Sequence, residues 1–248
     1  VDAKRGLVDR RIFSDPAIFE MEMEQIFARA WNFMCHESQI QEVGDFFMNR
    51  IGNDQGVAVR NKKKEVSDLL NSCRHRGNAV CRAEQGRAKT FLCPYHGWSY
   101  GLDGELVGVP GLKDYYRDGL DRKELGLGRA AQVASYKGFV FATMDPKAPP
   151  LEEYLGEVGR IGLDFVVGIG EVEVVDGIQK NIIDCNWKMA VDNLFDWYHP
   201  YVSHKSAFEV GLVPGQERRH PDETMKPLQQ MVMLGRYGHA NGGPRGTE

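Results

Sequence analysis

Two short segments, CRHRGN from Cys73 and CPYHGWSY from Cys93, each carry one cysteine and one histidine. The members stand two apart in the first pair and three apart in the second, and 17 residues separate His75 from Cys93. Four soft or borderline ligands in two close pairs can chelate a metal centre. Such a centre requires a fold that brings two loops face to face. Gly77 and Gly97 allow both loops to turn tightly, and their N–H groups are expected to point at sulfur.

The texture around these pairs is that of a β domain. From Phe33 to Asp145, short apolar runs alternate with Gly, Asn and Asp: DFFMNRIG, GVAVRN, LLNSC, TFLCPYHGWSY and KGFVFATM. The basic run Lys62 to Lys64 follows Asn61 between two such runs and reads as a solvated hairpin tip. Before the domain, Ser14 to Trp31 reads as one amphipathic helix. Ser14 or Asp15 would cap it and Pro16 sits in its first turn. Its apolar stripe is Ile18, Phe19, Met23, Ile26, Phe27 and Ala30. DPKAPP at Asp145 to Pro150 marks a boundary. After it, LEEYLGEV reads as helix, EVEVV (Glu171 to Val175) as strand, and Asn186 to His199 as a helix that Pro200 disturbs or ends.

Composition removes several classes of function. A chain of 248 residues with 42% hydrophobic residues is long enough for one large domain or two small ones. A net charge of −4 argues against nucleic-acid binding. No apolar run approaches the ~18 residues of a membrane span, and VDAKRGLVDRR has no apolar signal core. Five irregularly spaced cysteines suit metal-bound or free thiols in a reducing compartment, hence the cytoplasm. Cys35, Cys81 and Cys185 lie outside the paired pattern and read as core thiols.

Two chemistries fit the ligand types. Zinc takes two Cys and two His in a tetrahedral structural site, whereas a Rieske cluster carries two Cys on one iron and two His on the other. Zinc fingers more often pair Cys with Cys and His with His, whereas here each loop supplies one of each. CRHRGN followed by CPYHGWSYGLDG resembles the Rieske motif of the Rieske non-haem iron oxygenases, and of the large (alpha) subunit of bacterial aromatic-ring-hydroxylating oxygenases in particular. The resemblance makes Cys73, His75, Cys93 and His96 the ligands of a 2Fe-2S Rieske cluster, with Trp98 and Tyr100 packing nearby.

A second constellation, DNLFDWYHPYVSH, spans Asp192 to His204. A continuous helix would place Asp192, Asp196 and His199 on one face, with His204 beyond Pro200. Taken alone, these two histidines are modest evidence of a site. CNWKMAVDNLFDWYHPYVSH resembles the family segment that carries two histidines of a mononuclear Fe(II) site, a facial triad of two His and one carboxylate. The resemblance implies His199 and His204 as iron ligands. It also implies Asp196 as a carboxylate bridging a Rieske histidine of one subunit to an iron-binding histidine of its neighbour. Asp192 and Asn193 take the place of polar supporting residues. The family's third ligand lies roughly 150 residues after the second histidine, but only 44 residues follow His204 here, so a truncated chain is expected. Asp222 and Glu223 are poor substitutes, and His220 and His239 read as non-ligands.

The implied fold class is α+β: a small all-β Rieske domain over 33–148, then an incomplete helix-grip-like catalytic domain with an antiparallel sheet over 149–248. Residues 1–32 would be a helical segment packing on the latter. The implied function is the oxygenase component of a multicomponent system that inserts oxygen from O2 into an aromatic substrate. Electrons from NAD(P)H would arrive through a reductase, with or without a ferredoxin. The implied assembly is a homotrimer or an α3β3 hetero-hexamer. Leu194, Tyr201 and Phe208 are equally readable as pocket or core. The rival readings are a Rieske-type electron-transfer protein without oxygenation chemistry, and a zinc-bound structural protein.

Overall fold

The computed structural model describes residues 1–117, 119–168, 170–175, 177–196, 199–212 and 230–244. The chain divides into two compact units. One comprises Pro16–Gly156 and Arg160–Ile178, the other Val1–Asp15, Glu157–Gly159 and Gln179–Glu248.

The first unit is built on β1 (Asn32–His36), β2 (Asp45–Ile51), β3 (Asp54–Arg60), β4 (Val66–Leu70), β5 (Gln85–Arg87), β6 (Phe91–Leu92), β7 (Ser99–Tyr100), β8 (Leu106–Gly108), β9 (Gln132–Tyr136) and β10 (Phe139–Thr143). They form three antiparallel sheets, ordered β4-β3-β2-β5, β1-β10-β9 and β6-β7-β8. Lys62 to Lys64 sit exposed at the β3–β4 turn, as their composition predicts.

Side-chain alternation sorts two cores across the four-stranded sheet. Phe46, Val57, Val59 and Leu69 face one core, which also contains Cys73, Cys93, Trp98 and Tyr100. Phe47 and Ala58 face the other, with Met34, Cys35, Ile40, Ile51 and Val140. Strand β3 is thus apolar on both faces.

The helices depart from the sequence expectation in three places. First, α2 (Pro16–Glu22) starts where the sequence places it, just after the extended Asp15 (φ −87°, ψ 116°), but a separate short α1 (Arg11–Ser14) precedes it and α2 stops well before Trp31. The chain then continues as a π-helical turn over Met23–Phe27, which packs Met23 and Phe27 against Gly52. Second, Glu171 to Val175 forms no strand; a strand needs a partner, and none pairs with this segment among the described residues. Third, after α3 (Leu112–Tyr116) and α4 (Leu151–Val167), α5 (Trp187–Phe195) stops short of His199. Pro200 opens α6 (Pro200–Ser203) rather than ending α5, which suits its fixed φ and missing N–H. The second unit continues with α7 (Lys205–Glu209), β11 (Gln230–Leu234) and β12 (Ala240–Pro244), the strands forming an antiparallel hairpin. No described helix is long and apolar enough to cross a membrane.

The two Cys/His loops share one backbone frame. Cys73 N–H donates to the Asn78 carbonyl (2.9 Å) and the Cys73 carbonyl accepts from Gly77 (2.8 Å). Cys93 repeats the pattern with Trp98 (2.8 Å) and Gly97 (3.0 Å). Both glycines have positive φ, +76° and +72°. Their N–H groups therefore bond cysteine carbonyls and not sulfur, contrary to the sequence expectation.

Buried Asn71 closes the base of the first loop. Its Oδ1 accepts from the N–H groups of Val80 (2.9 Å) and Cys81 (2.8 Å), and its Nδ2 donates to the Cys81 carbonyl (2.7 Å) and to Gln55 Oε1 (3.0 Å). Asn71→Ala leaves these groups buried and unpaired, so a loss of about 3 kcal/mol is expected in urea unfolding. An unchanged midpoint would contradict the clamp.

Asp68, on the Ala58 side of the sheet, is 2% exposed, and neither carboxylate oxygen has a hydrogen-bond partner. Burial raises its pKa from 3.8 to about 7. Because the folded value lies above the unfolded one, this stability is present below about pH 4 and lost as pH rises through about 7. Above that the carboxylate costs the folded state on the order of 4 kcal/mol. Asp68→Ala should therefore raise the urea midpoint at pH 8 and do so much less at pH 4; equal gains at both values would refute the titration.

Candidate metal centres

The first unit brings Cys73, His75, Cys93 and His96 together at the tips of the paired loops. The thiols are buried and carry no disulfide; His75 is half-buried and His96 is exposed. The imidazole centroids lie 4.5 Å apart with the rings at 75°. Trp98 stacks on His75 at 4.9 Å and 11°, while Tyr95 leans on His96 at 3.9 Å. The Arg76 guanidinium lies over Tyr95, 5.7 Å from the ring centre.

The sulfurs sit among donors. The Tyr100 hydroxyl is 3.2 Å from Cys73 Sγ and accepts the Arg74 N–H at 3.0 Å. Burial pushes the Cys93 thiol up, but the N–H groups of Tyr95 and His96, the Cys73 thiol and the Asn78 carboxamide outweigh it, and its pKa falls below the usual value. Burial, His96 and Arg76 lower the pKa of His75, favouring the neutral ring that a metal ligand needs. Burial, assisted by Cys73, raises that of Tyr100, which stays a protonated donor.

His75 Nδ1 is buried without a hydrogen-bond partner. An orphaned nitrogen in the same loop as a buried thiol, with a second thiol of depressed pKa in the facing loop, fits a metal-sulfur group. Among the described residues, no three His, Cys, Asp or Glu side chains gather around a single point. A cluster with ligands divided two and two does not require it.

The remaining cysteines differ from one another. Cys35 and Cys81 are buried, and burial raises both thiol pKa values, that of Cys35 to about 12. Cys185 is exposed, so its reading as a core thiol is wrong; it precedes α5 in a segment with no apolar cover. The sequence singled out Tyr100 as packing alone and missed both its bond to Cys73 and the role of Asn71.

In the second unit, Asp196 Oδ2 lies 3.2 Å from His199 Nδ1, and His199 and His204 have ring centroids 5.3 Å apart. Because α5 ends at Phe195, a shared helical face does not bring Asp196 to His199; the two are joined instead by the His199 N–H donating to Asp196 Oδ1 at 3.3 Å. Asp192 lies within α5 and Asn193 beside it. Leu194 is exposed and Phe208 half-buried, and the Tyr201 side chain lies outside the description. His239 follows the β11–β12 turn, where its carbonyl accepts the Gly235 N–H. His220, Asp222 and Glu223 lie outside the described residues.

Comparison with known proteins matches residues 30–137 to the Rieske [2Fe-2S] domain. The biphenyl dioxygenase subunit alpha of Metapseudomonas furukawaii is 41% identical over 98% of this chain and 54% of its own length. The N,N-dimethyl phenylurea N-demethylase subunit alpha of a Sphingobium strain is 40% identical over 84% of this chain and 46% of its own. The crystal structure of naphthalene 1,2-dioxygenase from a Rhodococcus species superposes with a TM-score of 0.76 at 43% identity, over 84% of this chain and 48% of that one. The chain thus spans about half the length of the relatives it matches. Residues 30–137 are a Rieske [2Fe-2S] domain, and over the length it spans the chain is similar to the alpha subunits of aromatic-ring dioxygenases.

Proposed function

We propose that this chain is the oxygenase component of an aromatic-ring-hydroxylating system. The observation that carries the proposal is the pairing of the Cys73 and Cys93 thiols in one core and of the His75 and His96 rings above them in the same two loops, with His75 Nδ1 unpartnered. Cys73 and Cys93 would hold a [2Fe-2S] cluster from the buried side, His75 and His96 from the exposed side. His199 and His204 would hold a mononuclear iron(II). Bound there, these groups supply one-electron transfer and redox chemistry with O2.

The protein's own part is positioning. The Tyr100 hydroxyl shares a hydrogen bond with Cys73 Sγ and accepts the Arg74 N–H, so the first cysteine and its loop move together. Trp98 fixes the plane of His75 by stacking. Asp196 orients His199 by accepting from its ring, and we assign it the further task of reaching a Rieske histidine of a neighbouring copy. The domain division at 33–148 and 149–248 is part of this proposal. So are a reductase, with or without a ferredoxin, as electron donor, a homotrimeric or α3β3 assembly, and a cytoplasmic location. An aromatic substrate is supported by relatives named for biphenyl and benzene; the demethylase shows that identity of about 40% does not select among substrates.

The test is metal and sulfide analysis of anaerobically purified protein. The expected result is about two irons and two acid-labile sulfides per chain for the cluster. Cys73→Ser or His96→Ala should remove the sulfide and the visible colour, and a retained spectrum would refute the ligand assignment. Zinc without sulfide would overturn the whole reading. His199→Ala should leave the cluster spectrum intact and lose any iron beyond the cluster's; unchanged total iron in a parent that carries that extra iron would remove His199 from the site.

A further inference from the structure

Asn78 ends the first ligand loop and touches both cysteines. Its carbonyl accepts the Cys73 N–H at 2.9 Å, and its Nδ2 lies 3.9 Å from Cys93 Sγ in the opposite loop. The same Nδ2 donates to the Ala79 carbonyl at 3.1 Å, which fixes the amide with its donor side toward the sulfur. The arrangement is reciprocal. Tyr100, from the second segment, serves the sulfur of Cys73; Asn78, from the first, serves the sulfur of Cys93. Each thiol therefore has a side-chain donor supplied by the other ligand's stretch of chain.

We propose that Asn78 is a positioning residue that donates an N–H to the Cys93 thiolate and thereby raises the reduction potential of a cluster bound at Cys73, His75, Cys93 and His96. This rests on the reading that those four side chains hold a [2Fe-2S] cluster. One-electron reduction adds negative charge to the cluster and its sulfur ligands. A donor fixed on a ligand sulfur stabilises that added charge more than it stabilises the oxidised state, and hydrogen bonds to sulfur are among the established determinants of cluster potential. The half-buried position of Asn78 shields the contact from competing water.

The test uses the full chain and two substitutions. Asn78→Leu removes the donor at nearly constant volume. Asn78→Asp keeps the shape, removes the donor and adds charge, and it serves where the Leu variant does not fold. Iron and sulfide are counted first, and the midpoint is then read by anaerobic redox titration with visible circular dichroism. The expected result is parental cluster content with the midpoint shifted to a more negative potential, further for Asp than for Leu. A parental midpoint at full cluster content overturns the proposal. Reduced cluster content with a parental midpoint in the remaining clusters shows a purely structural role and overturns it equally. A parent chain without sulfide refutes the underlying reading, and this inference with it.

Discussion

The geometry of the first centre depends on the carboxamide of Asn71. A segment carrying a cysteine and a histidine has no regular secondary structure of its own. Its backbone groups must be satisfied inside the protein, and one buried side chain satisfies most of those at the loop base. Asn71 also reaches back to Gln55, near the start of the inner strand β3, so the loop is registered against the strands. Within this outer closure the inner frame from Cys73 to Asn78 forms, and the second loop repeats that frame without needing an equivalent clamp.

The two candidate centres are held in different ways. Around the first, the thiols, Trp98 and Tyr100 belong to a continuous apolar core, and long-range hydrogen bonds bind the loops to it. Around His199 the hydrogen bonds are local: the His199 carbonyl accepts from the N–H groups of Val202 and Ser203 and from the Ser203 hydroxyl. α5 buries none of its residues, and Leu194 stands 67% exposed on it. A helix with an apolar side in that condition derives little of its stability from packing. The hydrogen bond between Asp196 and the His199 ring, with the His204 ring against it, therefore gives this histidine its ring position.

Much of this was readable from residue types alone. Alternating apolar runs located the strands of the first unit, and the Cys/His spacing located the loops, because both signals are local. What escaped reading was set by tertiary context. The helix read over Ser14 to Trp31 begins at Pro16 as expected, but it widens into a π-helical turn where it meets Gly52 and ends at Phe27. Glu171 to Val175 alternates like a strand but pairs with no other strand among the described residues. The end of α5 at Phe195 precedes any helix breaker that the sequence displays. No local pattern marks Asn71 as a clamp or Asp68 as buried; only the packing of a second sheet against the Asp68 face buries that carboxylate. The exposure of Cys185 was missed for the converse reason, since burial of a lone cysteine was assumed from its type.

The shared frame of the two loops has an asymmetry built into it. Both run from cysteine to glycine in the same number of steps, but the histidine stands one residue later in the second. That single offset turns the two imidazoles nearly perpendicular and gives them different neighbours. One ring lies flat beneath an indole, and the other is open to solvent beside a tyrosine. A molecule approaching this face meets His96 before His75. The pair therefore has an outer and an inner imidazole, set by where one residue stands in a turn.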